Sequence, residues 1–188
     1  MTDIEVKKQQ ENIIHNEVMI ERNFQKILFP INNLPFCSFP CVKLKHDFNI
    51  ILSWEEIIFN VNKQFFNNSC FKHNEKNTDT INYQVKNIEI KKLDPIKDLF
   101  KNLFPNCYQN IDLYGSYETS AGGLKLHKDL ESTILHIQQG EVIIMVTLGS
   151  INYIFDLRKN DMLYIKKGIY HTVIGLTPRF LTSYGIYN

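Results

Sequence analysis

Two imidazoles and one carboxylate in this chain could act together on a metal ion: His127, Asp129 and His171. His127-Lys128-Asp129 is an HxD step at the end of a β-like segment. Residues i and i+2 of a strand point to one face, so the imidazole and the carboxylate project together. His171 follows the turn Lys167-Gly168 and opens another β-like segment. The glycine lets the backbone reverse just before the histidine. Two histidines and a carboxylate on one face of a metal leave the opposite positions open, the donor set of non-haem Fe(II) sites that handle O2. With 6 histidines in the chain, one HxD step by chance is unsurprising, and on its own it reads as structural. The surrounding elements must decide.

Those elements begin at Ile111. Short segments rich in Ile, Val, Leu, Tyr and Phe occupy 111–117, 123–127, 132–138, 142–148, 151–156, 161–166, 171–176 and 180–187. Polar or glycine turns separate them, among them Gly140, Gly149-Ser150, Lys159-Asn160 and Thr177-Pro178. Evenly spaced strands with no helix between them predict a sandwich or barrel. Wound as a double-stranded β-helix, the second and seventh strands become neighbours, and His171 completes the set. The chain divides near residue 108, and residues 1–108 read as a mostly helical region packing on a barrel of residues 109–188. Ile13, Ile14, Val18, Phe24, Ile27 and Leu28 form one helical apolar face that Pro30 ends. Ser53 followed by Glu56 is a capping box for SWEEIIFNVNKQFF. Asn67 to Asn82 reads as an exposed loop, Tyr83 to Ile90 as a strand, and Asp94-Pro95 as the start of a short helix.

Composition bounds the rest. The chain has 188 residues, 44% of them apolar, with Lys+Arg 21 against Asp+Glu 20. That length suits one domain with its own core. The near-zero charge argues against nucleic acid as the main partner. The apolar runs are too short for a membrane span, and the start MTDIEVKKQQ has no signal-peptide core, so a cytoplasmic monomer or homodimer is expected. The 4 cysteines include no CxxC pair, which points away from a zinc knuckle or a disulfide framework.

Two signatures carry a resemblance. HKDLESTILHIQQG, residues 127 to 140, and NDMLYIKKGIYH, residues 160 to 171, are similar to the paired motifs of the JmjC-type cupins, the Fe(II)- and 2-oxoglutarate-dependent oxygenases. FLTSYGI, residues 180 to 186, fits that family's last strand, and SWEEII resembles the helix before its barrel. Asn160 stands where the family has glycine, and Lys166 where it has proline. The resemblance implies a mainly β cupin (jelly-roll) barrel with an N-terminal helical extension. It implies Fe(II) on His127, Asp129 and His171, 2-oxoglutarate as co-substrate, and a protein or peptide side chain, or a small molecule, as substrate.

The family's usual cation for the distal carboxylate of 2-oxoglutarate is replaced by Val142. A buried dicarboxylate without a cation is costly, so the charge must come from elsewhere. Arg179, opening the last strand, suits a carboxylate through its bidentate fork. Lys125 shares a strand face with His127 and is a second candidate. Tyr114 resembles the family tyrosine that donates a hydrogen bond to the same carboxylate. The plain alternative for Arg179 is a solvated turn residue after Thr177-Pro178. Val142 also leaves open a metal cupin that needs no keto acid, a dioxygenase or isomerase, and a non-catalytic cupin-like binding protein.

Overall fold

From Ser132 onward every apolar run foreseen in the sequence becomes a strand. The structure is a computed structural model, and it describes residues 28–30, 38–66, 70–74, 81–105, 108–118 and 124–187. The first part of the chain supplies β1 (Leu28–Pro30), β2 (Cys41–Lys45), helix α1 (Trp54–Phe66), β3 (Cys70–Asn74), β4 (Ile81–Val85) and helix α2 (Asp94–Leu103). The second part supplies β5 (Tyr108–Ser116), β6 (His127–Lys128), β7 (Ser132–Gln139), β8 (Glu141–Leu148), β9 (Ile151–Arg158), β10 (Met162–Ile165), β11 (Tyr170–Gly175) and β12 (Arg179–Tyr187).

These strands make two sheets. One is eight-stranded in the order β1-β2-β10-β7-β12-β5-β4-β3, and the other four-stranded in the order β6-β11-β8-β9. From β5 onward consecutive strands alternate between the sheets, apart from the β8–β9 hairpin, the winding of a double-stranded β-helix. Alternation decides which side chains meet. Val142, Ile144, Val146, Phe155 and Leu157 turn inward from the small sheet and pack on Leu135, Ile137, Leu163 and Leu181 of the large one. The other face of the large sheet, with Ile134, Met162, Phe180 and Tyr184, is covered by Ile57, Val61, Leu93, Ile96 and Phe100. The large sheet is therefore the middle layer, with helices on one side and the small sheet on the other. No described helix is long and apolar enough to cross a membrane.

Local rules explain the helices. The Ser53 N–H donates to Glu56 Oε2 at 2.7 Å and the Glu56 N–H donates to Ser53 Oγ at 3.2 Å, the reciprocal capping box. Lys92 Nζ reaches the same Glu56 oxygen at 2.8 Å and ties α1 to the turn before α2. That contact is the main reason the Glu56 carboxyl lies below its usual range.

The expectation of an exposed loop over 67–82 is corrected, since Cys70–Asn74 pairs antiparallel with β4. Among the described residues the first part also supplies strands to the large sheet: β2 lies beside β10, and β4 beside β5. Pairing with a distant strand, rather than local alternation, makes these segments strands. The helix expected over 13–28 lies outside the described residues apart from Leu28, which is in β1. Cys37 lies outside them as well. Cys41 is fully buried in the inner core, and burial pushes its thiol up to about 12, so it is inert packing.

A polar seam runs through the helix-facing side of the large sheet. Gln138 Nε2 donates to His136 Nδ1 at 3.0 Å, which leaves His136 Nε2–H to donate to Asn160 Oδ1 at 3.1 Å. Asn160 has φ +74°, the left-handed region that glycine occupies most easily and asparagine next. This explains the exchange of glycine for asparagine in the second signature. The asparagine amide also donates to Phe48 O at 3.2 Å, pinning the 46–52 segment.

Burial holds the His136 imidazole down at about 4, against the ordinary 6.5. The unfolded chain takes up that proton near pH 6.5, and the folded chain not until about 4. Stability from this site is therefore complete above pH 6.5 and is lost as pH falls toward 4. The loss is on the order of 3 kcal/mol. Denaturant titrations at about pH 7 and about pH 5 should show a smaller difference in His136→Gln than in the wild type. Equal differences would contradict this account.

Candidate metal centre

The meeting of His127 and His171 follows from one short ladder. β6 pairs antiparallel with β11, with His171 directly opposite His127 and Tyr170 opposite Lys128. The two rings lie with centroids 4.3 Å apart. Asp129 follows β6 on the same face, and its carbonyl accepts the Gly168 N–H at 2.9 Å. That bond locks the glycine turn before His171 onto the HxD step. Asp129 Oδ1 lies 3.6 Å from His127 Nε2, and Asp129 Oδ2 lies 3.6 Å from His171 Nε2. One ligand atom from each of the three residues falls within 4.8 Å of the others.

The second nitrogen of each ring is already used. His127 Nδ1 lies 2.6 Å from Lys125 O, and His171 Nδ1 lies 3.1 Å from Ile169 O. A carbonyl accepts only from N–H, so each Nδ1 carries the proton and each Nε2 presents its lone pair to the shared centre. This is how proteins orient histidine ligands for a metal. Burial pushes the His171 imidazole below its ordinary value, with the nearby His127 adding to the effect, while the Ile169 carbonyl and Asp129 oppose it. A neutral imidazole is the form that ligates. The donor set fits a divalent ion, with His171 buried and His127 and Asp129 half-exposed toward the opening.

The three residues open on a cavity of about 240 Å³ also lined by Gln84, Tyr114, Leu124 and Ser183. A smaller cavity of about 30 Å³ adjoins it, and Gln84, Tyr114, Leu124, Val173 and Leu181 line both. Arg179 lines the smaller one.

Arg179 is only 3% exposed, which overturns the alternative of a solvated turn residue. Its Nη1 donates to Glu118 O at 3.3 Å and Thr177 O at 3.4 Å. Burial lowers its pKa from the ordinary value, but a guanidinium remains charged at neutral pH. Lys125 is corrected: its side chain is exposed and lines neither cavity, and what it brings to the site is the carbonyl that holds His127. Val142 is fully buried in the inner core and lines neither cavity.

Tyr114 lines both cavities, but its hydroxyl donates to Asp112 Oδ2 at 3.1 Å and accepts from Gln84 Nε2 at 3.0 Å. One hydroxyl has one proton, so in this structure it is directed at Asp112 and not into the cavity. Burial, and then the Asp112 charge, lift the phenol above its usual range. Asp112 and Gln84 were not singled out in the sequence. Asp112 was findable, since it stands two residues before Tyr114 on the same strand face. Gln84 has no local signal, because only pairing with β5 places it opposite Tyr114.

No family model matches the sequence, and no curated protein matches it. Solved structures do. The structure of YcfD, a ribosomal oxygenase from Escherichia coli, superposes with a TM-score of 0.63 at 16% identity, over 82% of this chain and 51% of that one. The same protein with cobalt and succinic acid gives 0.63 at 17% identity over 83% of this chain and 51% of that one. With cobalt and 2-oxoglutarate it gives 0.62 at 16% identity over 83% and 52%. The chain spans about half the length of YcfD. By fold, this chain is a mainly β double-stranded β-helix, the architecture it shares with the YcfD structures.

Proposed function

We propose that the chain is an Fe(II)- and 2-oxoglutarate-dependent oxygenase. The observation that carries this reading is the convergence of His127 Nε2, Asp129 and His171 Nε2 at the mouth of a cavity with a buried arginine beside it. The YcfD structures with cobalt and 2-oxoglutarate support it, since they share the fold.

His127, Asp129 and His171 would hold the ferrous ion, and the ion supplies O2 activation driven by oxidation of the keto acid. The protein's own part is positional. The carbonyls of Lys125 and Ile169 keep the ring protons on Nδ1 and leave both Nε2 atoms free to ligate. Arg179 would take the distal carboxylate in the smaller cavity, with Tyr114 and Gln84 on the shared wall. Leu124, Leu135, Val173 and Leu181 line the larger cavity with apolar surface that excludes water. The substrate is a protein or peptide side chain or a small molecule, the former suggested by the ribosomal oxygenase that shares the fold.

Fe(II)-loaded protein with 2-oxoglutarate should form succinate, and His171→Ala should form none. A second reading rests on Val142, which stands where the family has its usual cation. A cupin oxygenase or isomerase that uses a metal and no keto acid would bind Fe(II) and form no succinate. Failure to bind metal at all would leave a non-catalytic binding protein and would end both catalytic readings.

A further inference from the structure

Three of the glycines lie against the start of the last strand, residues 177–180, where Arg179 stands. A methyl added at Gly115 would fall on the Arg179 carbonyl oxygen and the Phe180 ring. At Gly140 it would meet Pro178 O, Thr177 Oγ1 and Arg179 Cβ. At Gly175 it would fall on Arg179 Cζ, Nε and Nη1. By contrast, Gly149 and Gly168 face open space. The three come from separate places: β5, the turn between β7 and β8, and the end of β11. A glycine within a strand weakens it and marks close approach by another group; Gly115 and Gly140 admit the chain around Arg179, and Gly175 admits its guanidinium.

We propose that Gly115, Gly140 and Gly175 form a cradle that fixes Arg179 as the anion anchor of the smaller cavity, with Gly175 the positioning residue for its guanidinium. The inference rests on the reading of Arg179 as the co-substrate's anchor. Gly140 and Gly115 set where the arginine leaves β12. Gly175 then offers a bare patch of β11 over which the guanidinium lies, beside the cavity wall of Tyr114 and Val173. Gly175 is also the cross-strand partner of Val142. The pair therefore has no long side chain to compete for the place the guanidinium takes. The ligand class is a dicarboxylate, held by the fork of Arg179.

The test is a double-mutant cycle on the full chain. Succinate is titrated into metal-free protein, and 2-oxoglutarate into Mn(II)-loaded protein. Gly175→Ala should weaken both at least about tenfold, with Mn(II) affinity unchanged, and the added methyl should cost nothing further in Arg179→Ala. Unchanged affinity in Gly175→Ala would overturn the cradle, as would an equal drop in the Arg179→Ala background. Wild type that binds neither ligand would overturn it as well. Succinate binding that follows the cycle without metal-dependent 2-oxoglutarate binding would uphold the cradle and sink the oxygenase reading. Where Gly175→Ala fails to fold, Gly175→Ala/Arg179→Ala should fold, because the group struck by the methyl is gone. A double variant that also fails to fold would overturn the cradle.

Discussion

Asp129→Ala is expected to lower Fe(II) affinity by at least roughly 100-fold, more than the loss typical of a group that only orients a ligand, and to abolish turnover. The carboxylate is the one anion of the triad and lies 3.6 Å from both Nε2 atoms. Without it, two neutral imidazoles face a divalent ion and nothing balances its charge. The fold should survive. Asp129 is half-exposed and outside both apolar clusters. The bond that locks the 167–168 turn is made by its backbone carbonyl, which alanine keeps. Mn(II) titration followed by electron paramagnetic resonance, together with a thermal melt, separates the two properties. A folded variant with wild-type metal affinity would remove Asp129 from the site.

Arg179→Ala is expected to weaken 2-oxoglutarate binding by roughly 30-fold or more, from the roughly 2–5 kcal/mol that truncating one partner of a buried charge pair costs. Mn(II) affinity should not change, because Arg179 lines the smaller cavity and the triad the larger. Calorimetric titration of the keto acid into Mn(II)-loaded protein reads the effect. An unchanged dissociation constant would return Arg179 to a structural role. Replacing Val142 by lysine does not offer a simple rescue. Val142 faces Gly175 across the ladder, and the Arg179 guanidinium already lies on Gly175. A lysine there would bring a second buried cation into contact with the first, so the two anchors exclude one another.

The barrel was legible because its strands obey a local rule. Alternation and turn residues marked seven segments that appear as strands near their expected bounds, and a short β6 where the eighth was read. The triad was legible for a similar reason. An HxD step and a glycine turn before a histidine are local patterns, and the double-stranded β-helix makes their strands neighbours. What escaped was non-local. β3 is polar and β2 short, and each is a strand only through its partner. Lys125 was placed in the site by phase alone, but β6 spans only His127–Lys128, so the strand face assumed for Lys125 does not extend that far. Tyr114 was expected to donate to the co-substrate carboxylate; it lines the cavity, but its hydroxyl donates to Asp112 and accepts from Gln84. Side-chain partners set by tertiary packing leave no periodic trace.

Anomalous scattering from a crystal soaked in Mn(II) would locate the ion itself. One strong peak is expected roughly 2.0–2.4 Å from His127 Nε2, His171 Nε2 and an Asp129 oxygen, the usual range for nitrogen and oxygen ligands of divalent ions. A soaked crystal with no peak among these three residues, or with its peak elsewhere on the chain, would contradict the triad as a metal site.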